Sequence, residues 1–111
     1  MAMGMRMVTK IRSVGPDMGE RAGEAAALLK TLANQNRLMI VCRLVEGEHS
    51  VGQLEETLGI RQPTLSQQLT VLREAGIVAT RRDAKQIFYR LAEEKAARLI
   101  TALYEIFCGR G

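Results

Sequence analysis

The tract from Gln62 to Leu91 constrains the fold more than any other part of the chain, because a helical pattern gives way to a strand pattern there within a few residues. Pro63 suits the first turn of a helix, where its missing N–H is not needed and its fixed φ is already helical. Leu65, Leu69 and Leu72 then recur at helical steps, and Ala75-Gly76 ends the pattern. Ile77 to Arg82 and Gln86 to Leu91 gather β-branched and aromatic residues on either side of Asp83-Ala84-Lys85, as two short strands around a tight turn do. Just upstream, Ser50-Val51-Gly52-Gln53 has the form of a capping box, and Val51, Leu54 and Leu58 mark an inward face ending at Gly59. Two short helices around the turn Gly59-Ile60-Arg61 make a helix-turn-helix signature, and a hairpin placed directly after it is a wing.

Two helical segments precede this unit and one follows it. Residues 1–16 show no clean period and end in Gly15-Pro16, which reads as a flexible N-terminal arm. With Asp17 as N-cap, Ala22, Ala25, Ala26, Leu29 and Leu32 recur at three- and four-residue steps, with Leu28 beside them. Asn34-Gln35-Asn36 breaks this helix; Leu38, Val41, Cys42 and Val45 define a second, which stops at Gly47. Glu93 to Phe107 returns to helical period, with Ala96, Leu99, Ile100, Leu103, Ile106 and Phe107 forming a broad apolar stripe. The expected architecture is mainly α with a β-hairpin: a winged helix-turn-helix of about five helices and a two-stranded wing, in one domain over residues 17–111.

Composition narrows the function classes. Only four of the 111 residues are aromatic, so the core is aliphatic and binding modes that stack bases on exposed rings are disfavoured. The longest uncharged apolar runs, Ala25 to Leu29 and Leu38 to Cys42, are far too short to cross a bilayer, and no secretory signal precedes them, so a cytoplasmic chain is expected. The formal charge of +4 is concentrated: Arg61, Arg73, Arg81, Arg82, Lys85 and Arg90 face only Glu74 and Asp83 in the segment 61–90. Such a patch is either a solvated face or the footprint of a polyanion binder.

The helix opened by Pro63 favours the second reading. With its leucines inward, its opposite face presents Thr64, Gln67, Gln68 and Val71, with Gln62 and Ser66 near its start. Glutamine bonds bidentately to adenine, and Ser and Thr bond several base edges in the major groove, where the N-terminal part of the second helix of a helix-turn-helix lies. Phosphate contacts are needed to position a reading helix, and Arg81, Arg82, Lys85 and Gln86 fall at or near the tip of the hairpin.

These residues carry a family resemblance. Leu32-Ala33-Asn34 with Asn36-Arg37-Leu38, then Val51 to Leu58, then the unbroken run from Gln62 to Val78 resemble the arsenic-repressor-like (ArsR/SmtB) winged-helix transcription regulators over roughly residues 20–108. The resemblance implies a homodimer, joined through the first and last helices, that binds a palindromic double-stranded operator and releases it when an inducer binds. The terminal apolar stripes agree, since they are wider than a monomer of this size needs, and pairing them would set two reading helices about 34 Å apart. Many members sense metals, but the place where those carry Cys-x-Cys reads His49-Ser50-Val51-Gly52-Gln53, and the last helix lacks their Asp/His ligands. His49, the sole histidine, is expected as an exposed loop residue, and neither a metal nor another cofactor is expected.

Two cysteines remain. Spacing alone leaves Cys42 as a small hydrophobe on the stripe of its helix, Cys108 as an end cap four residues beyond Tyr104, or the two as a redox pair. Within the family, the chain is most similar to persulfide-responsive regulators, which carry one cysteine on the second helix and one near the end of the last. That resemblance implies that Cys42 and Cys108 form a redox switch: the reduced form represses genes of sulfide oxidation, and small sulfane-sulfur species link the thiols and weaken DNA binding. The alternative is a repressor of the same family with inert core cysteines and another inducer, such as a thiophilic metalloid. Enzyme chemistry is disfavoured, because there is no Cys-x-x-Cys motif and one histidine cannot complete a Ser/His/Asp set. An interaction module whose basic ribbon meets an acidic protein would fail to bind duplex DNA even at low salt.

Overall fold

The computed structural model describes residues 15–109 as α1 (Gly15–Leu32), α2 (Gln35–Val45), β1 (His49–Ser50), α3 (Val51–Leu58), α4 (Gln62–Glu74), β2 (Val78–Asp83), β3 (Gln86–Leu91) and α5 (Glu94–Cys108). The arm expected over 1–16 lies outside the described residues as far as residue 14; Gly15 and Pro16 already belong to α1, since proline is at home in a first helical turn. Asp17 therefore sits inside that turn, where its charge complements the helix dipole, and does not cap the helix. The described residues up to Lys30 and those from Thr31 onward cluster as two compact units. In the first, Ala25 and Leu28 are half-buried, while Ala22, Ala26 and Leu29 are exposed.

The second unit is built on an aliphatic core of Leu32, Ile40, Val41, Leu44, Leu54, Leu65, Leu69, Leu72, Ile77, Val78, Ala96 and Ile100. Burial of each large aliphatic side chain contributes roughly 1.5–3 kcal/mol, and this is the driving term of the fold. Asn34 caps α2 through its side chain, which accepts from the Arg37 amide at 3.0 Å. The buried face of α2 is Ile40, Val41 and Leu44, whereas Leu38 and Cys42 are half-buried and Val45 is exposed. That face is rotated from the one expected. Leu38 to Cys42 is apolar at every position, so periodicity cannot set the phase of the stripe.

The capping box forms as expected: Ser50 Oγ accepts from the Gln53 amide at 3.1 Å, and Gln53 Oε1 accepts from the Ser50 amide at 2.8 Å. After α3 the chain turns through Gly59 and re-enters helix at Gln62, with Leu65, Leu69 and Leu72 fully buried. The end of α4 is a Schellman motif, in which the Gly76 amide bonds the Arg73 carbonyl at 3.0 Å and the Ile77 amide bonds the Leu72 carbonyl at 2.9 Å. Gly76 sits at φ 77°, in the left-handed region, with open space where a Cβ would stand. Gly76→Ala is therefore expected to cost about 1 kcal/mol from the backbone alone, read as a lower midpoint in urea with unchanged slope.

The sheet has three strands in the order β1-β3-β2, all antiparallel. The wing proper runs from Val78↔Leu91 to Asp83↔Gln86, with Ala84 at φ 58° in the two-residue turn. A short third strand joins the two-stranded wing: His49 and Ser50 pair with Tyr89 and Phe88, so His49 is half-buried on a strand rather than exposed on a loop as expected, and its Nδ1 lies 2.7 Å from the Gly47 carbonyl. No described helix is long and apolar enough to cross a membrane.

Candidate nucleic-acid interface and dithiol groove

Helix α4 turns the expected reading residues outward to different degrees. Gln62, Ser66 and Gln67 are exposed and Thr64 is half-buried. Ser66 Oγ donates to Gln62 Oε1 at 3.4 Å, and Thr70 Oγ1 donates to the Ser66 carbonyl at 2.9 Å. Gln62 and Ser66 line an open cleft together with Lys85 and Gln86 from the wing and Gln53 from α3. Four of the expected contact residues, from the reading helix and the hairpin, thus face one space.

Arg81, Arg82, Lys85 and Gln86 are all exposed, but they are not equivalent. Arg81 is clasped in place: Nε and Nη2 donate to the two Glu48 carboxylate oxygens at 2.8 Å each, Asp83 lies at 3.6 Å, and the guanidinium stacks 4.6 Å from the centroid of the Phe88 ring. The clasp holds the Glu48 carboxyl below its ordinary range, chiefly through the hydrogen bonds from Arg81, and raises the already basic guanidinium in return. Arg81 is therefore held by Glu48 partway along the hairpin, and among the described residues no salt bridge engages Arg82, Lys85 or Arg90 of the wing. Sequence reasoning missed Glu48 because its partner is 33 positions away.

Gln68 differs from Gln67 in the same way. It is half-buried, and its Oε1 accepts from Arg37 Nη1 at 2.8 Å, while Arg37 Nε donates to the Thr31 carbonyl at 2.6 Å. Arg37 was visible in the sequence only as part of the run after Asn34, with no local sign of a contact 31 positions on.

On another face, Cys42 of α2 and Cys108 of α5 line one groove of about 700 Å³ with Val45, Ile100, Tyr104 and Glu105. Both thiols are free; Cys108 is exposed and Cys42 half-buried. The Cys42 thiol is pushed above its ordinary value, first by burial and then by the charge of the neighbouring Cys108, with Arg43 opposing. Among the described residues, no three His, Cys, Asp or Glu side chains are grouped so as to hold a metal ion.

Comparison with known proteins agrees with this architecture. The profile described as "Bacterial regulatory protein, arsR family" matches residues 34–80. The chain is 73% identical over 93 residues to the biofilm growth-associated repressor of Agrobacterium fabrum, covering 84% of this chain and 80% of that one. The crystal structure of the transcriptional repressor BigR from Xylella fastidiosa superposes with a TM-score of 0.82 at 67% identity, over 86% of this chain and 97% of that one. A homodimeric winged helix-turn-helix DNA-binding domain from Mycobacterium bovis, studied in solution, gives a TM-score of 0.68 at 31% identity over 80% of this chain and 82% of that one. Winged-helix architecture, the polar outer face of α4, the basic hairpin and these relatives converge: the chain belongs to the ArsR family of bacterial regulatory proteins, as a transcriptional repressor rather than an enzyme.

Proposed function

We propose that the chain is a cytoplasmic homodimeric repressor that binds a palindromic double-stranded operator through α4 and the wing, and releases it when Cys42 and Cys108 are linked by oxidation or by the action of persulfide or polysulfide. Sulfide-detoxification genes are the proposed targets. The observation that carries the reading is the shared groove, which places an exposed thiol on α5 beside a half-buried one on α2.

The chemistry follows from the two exposures. The accessible Cys108 thiolate attacks the sulfane sulfur of an organic persulfide, taking up that sulfur as Cys108 persulfide and expelling the organic thiolate. The Cys42 thiolate then attacks Cys108 Sγ, forming the disulfide and expelling hydrosulfide. A covalent tie between α2 and α5 fixes one helix of the reading head to the end of the last helix, and a shift of a few Å in the reading helices breaks their register with the groove. The test is duplex binding to DNA upstream of the chain's own gene, before and after organic persulfide, with intact mass. Loss of binding together with loss of two hydrogens supports the switch; tight binding unchanged by treatment sinks it and leaves both cysteines as packing residues.

The wing makes its own prediction. Arg82→Ala is expected to weaken binding to all sequences alike and to lower the salt slope by about one, whereas Arg81→Ala changes little because Glu48 already holds that charge. Conversely, Glu48→Ala removes the two-point hold on Arg81, leaving only Asp83 at 3.6 Å, and is expected to steepen the salt slope by at most about one in titrations with non-operator duplex.

A further inference from the structure

We infer that Arg37 is a positioning residue that restricts what Gln68 can read in DNA; this rests on α4 being the reading helix. A guanidinium has only donors, so the Gln68 atom facing Arg37 Nη1 at 2.8 Å is its carbonyl oxygen. The other prong of the same guanidinium is anchored on the Thr31 carbonyl at 2.6 Å, at the end of α1, so the fork cannot follow the amide if it rotates. The Gln68 carboxamide nitrogen has no hydrogen-bond partner among the described residues and is not buried. Gln68 is thereby set with its oxygen inward and its two N–H donors outward.

Bidentate reading of adenine needs an oxygen to accept from the exocyclic amine and a nitrogen to donate to N7 on the same edge. An amide whose oxygen is turned inward onto Arg37 presents its nitrogen donors to the groove. Gln68 therefore selects base edges rich in acceptors, guanine O6 and N7 or thymine O4, while the unclasped Gln67 one residue earlier remains free to present both groups. Two adjacent glutamines, alike in sequence, carry different preferences.

The experiment selects bound duplexes from a pool with a randomised central segment, using the full chain under reducing conditions. Gln68→Ala identifies the base-pair position that Gln68 reads, by a loss of discrimination of about tenfold there. Arg37→Lys keeps the charge but not the fork, and is expected to flatten the same position by a similar factor with the salt slope unchanged. Gln68→Glu keeps the clasp on Arg37, and with it the fold, while replacing the donors by an acceptor; its preference at that position is expected to move to cytosine or adenine amines. If Arg37→Lys and Gln68→Glu both select the wild-type sequence, the inference is overturned and the reading helix stands. If the wild-type chain selects no sequence at all, the reading-helix assignment itself fails and the inference with it.

Discussion

Cys108→Ser is expected to bind operator as tightly as the reduced wild-type chain and to keep that affinity after treatment with organic persulfide, where the wild-type chain loses tenfold or more. In the proposed switch the exposed thiol makes the first attack, so without it no sulfur enters the groove. Cys42→Ser separates the two steps: it should take up one sulfur at Cys108, visible by intact mass, and still hold DNA, because no link to α2 can close. The closing step carries a pH signature. Burial, and then the nearby Cys108 charge, raise the Cys42 thiol above its ordinary 9.0, so its thiolate fraction is small near neutrality and climbs about tenfold per pH unit. Closure monitored by quenched mass spectrometry should accelerate past pH 9.0 without levelling there. A plateau near the ordinary thiol value would show that burial does not restrain Cys42. Because Arg43 pulls the same group down, Arg43→Gln should slow closure further.

Phe107→Glu is expected to convert a dimer into a folded monomer and to reduce operator affinity by about a hundredfold or more. The inward stripe of α5 runs Ala96, Ile100, Leu103, Phe107, but burial ends at Ile100: Phe107 is 80% exposed, with Ile106 at 71% and Tyr104 at 61%. The helix continues beyond the core it packs on, carrying two of the chain's four aromatic residues. An aromatic side chain buries roughly 150–250 Å², about 4–6 kcal/mol at 25 cal/mol per Å², and a two-fold interface counts each change twice. Two half-sites engaged by one linked particle gain about 10²–10⁴ over a single engagement, and that gain disappears with the dimer. Sedimentation and circular dichroism on the same sample decide it: monomer with native helicity is the expected outcome, and a dimer that persists would place the interface elsewhere.

How much of this was legible in the sequence depended on whether the determining contacts were local. Helix α4, the capping box at Ser50 and Gln53 and the stop at Gly76 were all readable, because each is specified by residues within about two turns. The phase of α2 was not, since five consecutive apolar residues satisfy more than one helical stripe. Strand β1 has no period to detect in two residues, and its identity as a strand comes from pairing with Phe88 and Tyr89, far along the chain. At the site, residue types placed Gln68 and Arg81 among the DNA contacts. Their hydrogen-bond partners, Arg37 and Glu48, are 31 and 33 positions away, and only folding shows that one amide and one guanidinium are already engaged. The two cysteines share a groove for the same nonlocal reason, the packing of α2 against α5.

The lopsided pairing of the sheet bears on how such a protein can change its footprint. β1 grips the hairpin only at Phe88 and Tyr89, so the outermost rungs, Arg82↔Ile87 and Asp83↔Gln86, pair with one neighbouring strand only. Paired insertions or deletions at Ala84-Lys85 would extend or shorten this arm by about 3.3 Å per rung while leaving every inner register in place. On the proposed reading, reach along the phosphate backbone and choice of bases are thus adjustable by separate genetic events, one by counting residues at a fingertip, the other by exchanging side chains on a helix.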